Sequence, residues 1–188
     1  MNNLHRYLDL PFEINKPEIC NTTPTERFHS DLKDADNIEM TLFHDRLGLS
    51  INHYEVFFTP AGMSLPIHAD TKRLNNRVKI NITWGPEEGV IRWWKAKRNS
   101  LFVTSDGGKD GKTHREHKNV RADIKDCDFV YQVNTNRPSL VNVGQLHDTY
   151  SPTHAGRWTL SFVPQVKGSS DRCLYWDDAI EYYKDYII

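Results

Sequence analysis

Apolar and polar residues alternate with a period of two along several segments in the middle of the chain, and this period is typical of half-buried β-strands. From residue 49 onward these segments are short, rich in β-branched and aromatic residues, and separated by glycine and proline turns. The strictest alternation is found in Arg77–Trp84. Its apolar face consists of Val78, Ile80, Ile82 and Trp84, and its polar face of Arg77, Lys79, Asn81 and Thr83. We interpret the polar face as the wall of a ligand pocket, with solvent exposure as the alternative.

About seven or eight short strands, without the alternation of strands and helices that a parallel sheet requires, predict a mainly β fold. We expect a double-stranded β-helix, that is a jelly roll, with flanking helices at both ends. The chain is expected to be a single domain over residues 1–188, with its core at about 49–165. A helical lead-in over 1–48 and a C-terminal helix at about 174–188 complete this prediction.

Local patterns predict how several elements are placed. Short helices are expected over Glu26–Leu32 and Asn37–Leu47, ahead of the first strong strand. The strand Ser139–Val143 is expected to deliver His147. Because a polar, turn-rich connection follows, Arg157–Val163 is expected to be the antiparallel neighbour of that strand.

The overall charge gives little reason to expect a polyanionic partner. The formal net charge is −1 and the sequence pI is about 6.7, so nucleic acid is not a favoured partner. Between Arg92 and Arg121, however, nine basic residues are accompanied by three acidic ones. We interpret this segment as a solvated loop, with a lid or a contact to an anionic substrate as alternatives.

Cysteine content and hydropathy indicate the cellular compartment of the protein. The three cysteines, an odd number with wide spacing, suggest neither a disulfide framework nor a cysteine zinc site. The N-terminal residues lack the apolar core of a signal peptide, and no apolar run approaches the roughly 20 residues of a membrane span. We therefore expect a cytoplasmic protein in a reducing setting, without a membrane partner. Its aromatic C-terminal helix is expected to serve packing or a homodimer contact.

Two stretches far apart in the chain carry the residue types of a metal site. His68 and Asp70 are two positions apart on an extended segment, so both point to one face. His147 follows an apolar, β-branched run, and Arg157 opens another such run. Two histidines and a carboxylate on one side of a metal leave other positions open, as in non-haem Fe(II) oxygenases. The arginine would bind an organic acid.

Two further residue pairs with ligand-like spacing are set aside. His29 and Asp31 lie in a polar stretch expected to be helical, where residues two apart do not share a face. His53 and Glu55 alternate on a predicted strand, and no distal partner distinguishes them. We interpret the second pair as structural.

The order of His68–Asp70, His147 and Arg157 resembles the pattern of the Fe(II)- and 2-oxoglutarate-dependent dioxygenases. The segments Arg77–Gly85 and Arg157–Phe162 are similar to the aspartyl/asparaginyl β-hydroxylase-like branch of that superfamily. The resemblance covers most of the predicted core.

This resemblance implies a function and a set of site residues. The metal ligands, which are also the catalytic residues, would be His68, Asp70 and His147. The residues that bind 2-oxoglutarate would be Arg157, Arg77, Thr159 and Asn81. The implied activity is hydroxylation of an unidentified substrate, with decarboxylation of 2-oxoglutarate to succinate.

Two alternatives stay open at this point. A cupin-like or jelly-roll binding module could keep the scaffold without catalysis, because fold does not fix function. Another metal-dependent enzyme, such as an isomerase, could use the same ligands.

Overall fold

The computed structural model describes residues 3–14, 16, 27–28, 38–97, 100–106 and 117–188, with the backbone alone for 27–28, 52–54, 105–106 and 117–118. His29, Asp31 and most of the helix expected over Glu26–Leu32 lie outside these residues. The described pair within that helix, Arg27–Phe28, forms a strand instead, because it pairs with the edge of a sheet at Val56 and Phe57.

Among the described residues, twelve strands form two six-stranded antiparallel sheets. In chain order the strands are β1 (His5–Tyr7), β2 (Arg27–Phe28), β3 (Leu49–Thr59), β4 (His68–Ala69), β5 (Val78–Trp84), β6 (Val90–Ala96), β7 (Phe102–Asp106), β8 (His117–Arg121), β9 (Cys127–Val133), β10 (Ser139–Asn142), β11 (His147–Tyr150) and β12 (Arg157–Val166). The helices are α1 (Ile38–Arg46) and α2 (Trp176–Tyr183), with short 3₁₀ turns at Ile124–Asp126 and Lys184–Tyr186.

The order of the strands confirms the predicted double-stranded β-helix. The first sheet has the order β1-β10-β5-β12-β3-β2, and the second has the order β7-β8-β4-β11-β6-β9. Successive strands from β3 to β6 alternate between the two sheets, and so do successive strands from β9 to β12. The chain therefore winds around a space that both sheets enclose, as in a jelly roll.

The predicted pairing of the strand that begins at Arg157 is wrong. β12 pairs with β3 and β5, whereas β10 pairs with β1 and β5. The connection between β10 and β12 is not a hairpin, because β11 lies between them in the chain and belongs to the second sheet. The wound topology, which the local turn pattern does not encode, decides the neighbours.

The main apolar core lies on the outer face of the first sheet, beneath the helices. The apolar face predicted for β5 is confirmed, since Val78, Ile80 and Ile82 are buried there. Its partners include Met40 and Phe43 from α1, Leu160 and Phe162 from β12, and Trp176, Ala179 and Tyr183 from α2. The C-terminal helix thus serves packing. Of the helices in the described ranges, none is long and apolar enough to cross a membrane.

The N-terminal lead-in is only partly helical. The helix expected over Asn37–Leu47 is present as α1. The beginning of the chain, however, forms β1, which pairs with residues Ser139–Val141 at the edge of the first sheet. Tertiary pairing with an available sheet edge determines this strand, since three residues carry too short a pattern to predict it.

β1 gives rise to a prediction about pH. His5 packs against Tyr7 and Tyr131, and its Nε2 is buried without a hydrogen-bond partner. Burial, helped by the charge of Arg6, lowers the pKa of His5 to about 4. Between pH 6.5 and pH 4 the unfolded state therefore binds the proton more readily, and the free energy of unfolding falls as the pH drops. This histidine should contribute a loss of about 2 kcal/mol between pH 8 and pH 5.

Urea unfolding of the metal-free protein at both pH values measures this loss. In His5→Phe, which keeps a ring of similar size but cannot titrate, the decrease from pH 8 to pH 5 should be smaller by about that amount. An equal decrease in wild type and variant would show that His5 is not protonated on unfolding in this range.

Candidate metal centre

β4 and β11 bring the three predicted ligands together. The two strands pair antiparallel with His147 directly opposite His68, and Asp70 follows immediately after β4. One ligand atom from each of these three residues lies within 4.8 Å of the other two. His68 Nε2 is 3.3 Å from Asp70 Oδ1, and the two imidazole rings have centroids 4.6 Å apart. The side chains therefore converge on one point, as the sequence predicted.

Both histidines are oriented by the backbone. Nδ1 of His68 lies 2.8 Å from the carbonyl oxygen of Pro66, and Nδ1 of His147 lies 3.0 Å from that of Gln145. A carbonyl can only accept, so Nδ1 carries the proton in each ring and Nε2 keeps its lone pair. Such hydrogen bonds fix the tautomer and ring direction of metal-binding histidines. Both rings thus offer Nε2 to the common point.

The charge state of the cluster also suits a cation. Burial, with a smaller effect of His68, lowers the pKa of His147 to about 4, so this ring is neutral at pH 7. Burial alone would raise the pKa of Asp70, but the nearby ammonium of Lys79 and the two imidazoles hold that pKa well below its ordinary value. A neutral imidazole at His147 and a carboxylate at Asp70 are ligand forms that divalent metals require.

Lys79 connects this cluster to a second carboxylate. Its Nζ lies 2.6 Å from Asp70 Oδ2 and 3.6 Å from Glu55 Oε2. Because Lys79 binds Oδ2, Asp70 Oδ1 is the oxygen that faces His68. The attraction of the two carboxylates outweighs burial and raises the pKa of Lys79.

Lys79 was expected only as part of the pocket wall, without a charged partner, and Glu55 was expected to be structural. A signal for Lys79 was present, because the alternation of β5 places it on the same face as Arg77 and Asn81. The approach of Glu55 depends on β12, which lies between β3 and β5 in the first sheet. Local sequence does not contain that order.

A cavity of about 280 Å³ lies between the two sheets beside the cluster. Its polar lining includes Arg77, Lys79 and Asn81, so three of the four residues on the predicted polar face of β5 lie in the wall of a pocket, whereas Thr83 does not. Its apolar lining includes Phe57, Leu65, Ile91 and Val143. Asn81 Oδ1 is buried without a hydrogen-bond partner, and so is Thr149 Oγ1, another lining residue. The cavity therefore presents unsatisfied polar atoms next to the cluster.

Arg157 and Thr159 lie further along the first sheet and are not among the residues that line this cavity. The Arg157 side chain is 1% exposed, and its Nη2 lies 3.3 Å from Thr83 Oγ1 and 3.5 Å from Thr159 Oγ1. Its Nε and Nη1 are buried, and no group in the described part of the chain forms a hydrogen bond with either. Burial lowers the pKa of Arg157 to about 10, which still leaves it charged at pH 7. Within the described residues, no carboxylate forms an ion pair with this buried cation.

Two glycines make room for Arg157. A methyl group at Gly85 would lie 2.7 Å from Cβ of Arg157, and one at Gly89 would lie 3.2 Å from its Cδ. Both contacts are shorter than normal van der Waals separations. The turn between β5 and β6 therefore requires glycine so that the guanidinium can lie inside the fold.

The basic segment between Arg92 and Arg121 is described only in part, since residues 98–99 and 107–116 lie outside the described ranges. Arg92, its first basic residue, binds both carboxylate oxygens of Asp148 at 2.8 and 2.6 Å. Its charge is thereby neutralised within the second sheet. A contact of the remaining segment to an anionic substrate stays a prediction.

The salt bridge of Lys79 leads to a prediction about stability. In the metal-free protein, Lys79→Met should lower the free energy of unfolding by about 3–5 kcal/mol, because it leaves two carboxylates near each other without their cation. A divalent cation at the cluster would replace that charge, so added Mn(II) should stabilise the variant more than it stabilises wild type.

Urea unfolding with EDTA and with Mn(II) measures both effects. Lys95→Met, at an exposed position of β6, is the matched control and should change stability little. Equal stabilisation of wild type and Lys79→Met by Mn(II) would show that the lysine and the metal do not share the same carboxylate.

Comparisons with known proteins give structural likenesses at low sequence identity. No protein-family model matches the sequence, and no curated protein matches it. HygX from Streptomyces hygroscopicus, solved with nickel and 2-oxoglutarate bound, is similar with 11% identity over 84% of this chain and 83% of that chain, at a TM-score of 0.45. AviO1 from Streptomyces viridochromogenes Tue57 is similar with 14% identity over 90% of this chain and 76% of that chain, at a TM-score of 0.42.

EvdO2 from Micromonospora carbonacea var. aurantiaca, complexed with 2-oxoglutarate, is similar with 13% identity over 74% of this chain and 65% of that chain, at a TM-score of 0.36. All three TM-scores are below 0.5.

Proposed function

We propose that this protein is an Fe(II)- and 2-oxoglutarate-dependent oxygenase. The observation that carries the proposal is the convergence of His68, Asp70 and His147 beside a cavity, with a buried, unpaired arginine further along the same interior. Two histidines and one carboxylate are the ligand set of non-haem Fe(II) oxygenases. A buried guanidinium without an anion is costly unless a ligand pairs with it.

The three ligands fit a metal that must stay open to further ligands. They come from one side of the cavity, from β4 and β11 and the residue after β4. Lys79 occupies the second oxygen of Asp70, which favours binding of the metal through Oδ1 alone. The opposite positions would then remain available to a co-substrate that binds through two oxygens and to O2.

Arg157 is the proposed partner of the distal carboxylate of 2-oxoglutarate. Its unpaired Nε and Nη1 each keep a donor that can form a charge-assisted hydrogen bond to a carboxylate oxygen. Thr159 and Thr83 hold its Nη2, so the guanidinium is oriented before the ligand arrives. Asn81, whose Oδ1 is unsatisfied, lies two residues before Thr83 on the same face of β5. We propose that it contacts the co-substrate between the metal and Arg157.

Fe(II) and 2-oxoglutarate, when bound, would supply an oxidation in which O2 and 2-oxoglutarate give succinate and CO2 while a substrate C–H becomes C–OH. The protein holds the ligands in their metal-binding forms and excludes water with the apolar side chains of the cavity. It also provides a fixed cation for the co-substrate.

Anaerobic titration tests the proposal directly. Fe(II) and 2-oxoglutarate added to wild type without O2 should produce a visible charge-transfer absorption, and admission of O2 should produce succinate. His147→Ala should give neither signal. If wild type and variant are indistinguishable, the cluster does not carry this chemistry.

The same experiment separates the two alternative functions. A jelly-roll binding module need not retain one iron per chain after anaerobic purification and would form no succinate. A metal-dependent isomerase would bind the metal but would not consume 2-oxoglutarate. Succinate formation without any added prime substrate therefore excludes both.

A further inference from the structure

Two arginines belong to the interior of the fold, and they lie on opposite sides of the metal cluster. The alternate positions of β5 and the residue before it follow the order Arg77, Lys79, Asn81 and Thr83, and the first three of them line the cavity. Thr83 contacts Arg157, and Lys79 contacts the metal ligand Asp70. The seven residues from Arg77 to Thr83 span roughly 20 Å of extended chain. The metal cluster is therefore flanked by Arg77 on one side and Arg157 on the other.

This separation limits what one small ligand can reach. 2-Oxoglutarate is a short dicarboxylate, and a molecule that chelates the metal and extends to Arg157 points away from Arg77. The sequence resemblance had placed both arginines beside 2-oxoglutarate. The order of residues along β5 instead leaves Arg77 to a different ligand.

Arg77 has an unsatisfied donor but a fixed backbone. Its Nε is buried without a hydrogen-bond partner, and within the described residues its guanidinium forms no ion pair. The backbone N–H of Arg77 donates to Asn75 Oδ1 at 3.0 Å, and its carbonyl accepts from Gly144 N at 3.0 Å. A bridge to Tyr175 adds to this anchoring. Arg77 is therefore part of the wall of the cavity, with donor capacity that the protein does not use.

The charges around the cavity indicate which ligand would use that capacity. The ammonium of Lys79 is neutralised by Asp70 and Glu55, whereas no carboxylate of the described residues forms an ion pair with Arg77. The lining beside Arg77 includes Val143, whose neighbour Gly144 donates to the Arg77 carbonyl, and this side chain suits a short hydrocarbon segment. Ile91 and Leu65 line the cavity beside Thr149, toward Arg157. The volume of about 280 Å³ is small for a ligand pocket, so the ligand must be small or present a single short chain.

We propose that Arg77 binds an anionic group of the prime substrate, a carboxylate joined to a short apolar segment that lies over the metal cluster. This inference rests on the proposed function, because it assumes that 2-oxoglutarate occupies the Arg157 side. It assigns Arg77 to substrate specificity and Arg157 to the co-substrate.

Binding measurements without turnover test this assignment. The protein is loaded with Mn(II) and saturating 2-oxoglutarate and titrated by calorimetry with butanoate, which carries one carboxylate and a short chain, and with its neutral amide, butanamide. Wild type should bind butanoate at least about tenfold more tightly than butanamide, the effect of one charge-assisted hydrogen bond. Arg77→Gln should lose this preference, and Arg77→Lys should recover part of it.

The control titration is that of 2-oxoglutarate itself. Its Kd should stay within about twofold in Arg77→Gln and in Arg73→Gln, a change of an exposed arginine on the preceding loop. If Arg77→Gln raised the Kd for 2-oxoglutarate as much as Arg157→Met does, the assignment would be overturned, and Arg77 would be a co-substrate residue. An unchanged preference for butanoate in Arg77→Gln, or no preference in wild type, would also overturn it. If wild type binds no 2-oxoglutarate, the proposed function itself fails.

Discussion

Replacement of His147 with alanine should lower the affinity for Fe(II) by at least about a hundredfold and abolish succinate formation. The loss of a hydrogen bond that only orients a metal ligand already costs about 10- to 100-fold in metal affinity, and this change removes the ligand itself. His68 and Asp70 would remain, but two protein ligands bind a divalent ion much more weakly than three do. Metal content after anaerobic loading and equilibrium titration with Fe(II) measure the effect.

His154→Ala is the matched control, since His154 is an exposed histidine on the loop before β12. It should retain wild-type iron content and succinate formation. Thermal unfolding of both variants without metal shows whether either has lost its fold. If His147→Ala retains one iron per chain with wild-type affinity, the metal lies elsewhere in the molecule and the proposed centre is wrong.

Arg157→Met should weaken 2-oxoglutarate binding by roughly 30- to 1000-fold and yet make the metal-free protein more stable. Methionine fills much of the same volume but cannot pair with a carboxylate, and losing such a buried, charged contact costs about 2–4 kcal/mol of binding. Without ligand, however, two buried nitrogens of Arg157 lack partners. Removing that uncompensated charge should therefore raise the free energy of unfolding by about 1–4 kcal/mol.

These opposite effects distinguish a ligand-binding arginine from a structural one. If Arg157 were structural, its replacement would lower the free energy of unfolding of the protein as well as its affinity for 2-oxoglutarate. 2-Oxoglutarate titration by charge-transfer absorption and urea unfolding with EDTA measure the two quantities. Arg137→Met, at an exposed position, is the control and should change neither. Arg157→Lys should keep the charge but recover only part of the affinity, because an ammonium lacks the paired donors of a guanidinium.

Much of the site could be predicted because strand periodicity is local. The alternation of β5 correctly separated the apolar face that packs under the helices from the polar face that lines the cavity. The same rule placed Arg157 and Thr159 on one side of β12, where both contact one another inside the fold. Side-chain direction along a strand depends only on position, so a single sequence determines it.

The convergence of His68 and His147 was inferred from residue type and order. In the structure it results from the pairing of β4 with β11. Their direct pairing across β4 and β11 requires the chain to cross between the sheets several times. The wrong pairing predicted for the strand beginning at Arg157 arose from the same missing information. A nearby turn suggested a hairpin, whereas the wound topology placed β3 and β5 beside that strand.

The contributions of Lys79 and Glu55 were not foreseen, for a related reason. A lysine on a polar strand face is usually solvated, and its partners Asp70 and Glu55 approach it from different elements. The electrostatic role of a residue depends on which charges surround it and how deeply it is buried. Neither quantity can be read from neighbours in the sequence.

The sequence by itself determined the strand-rich character of this protein, the faces of its strands and the residue types available for a metal, because these depend on short-range periodicity and side-chain chemistry. Only the tertiary structure decided which strands are neighbours, that Lys79 joins two carboxylates beside the cluster, and that Arg77 and Arg157 lie on opposite sides of it. Those features arise from contacts between residues that are far apart in the sequence. The distances between such residues are fixed only when the two sheets pack around the cavity between them.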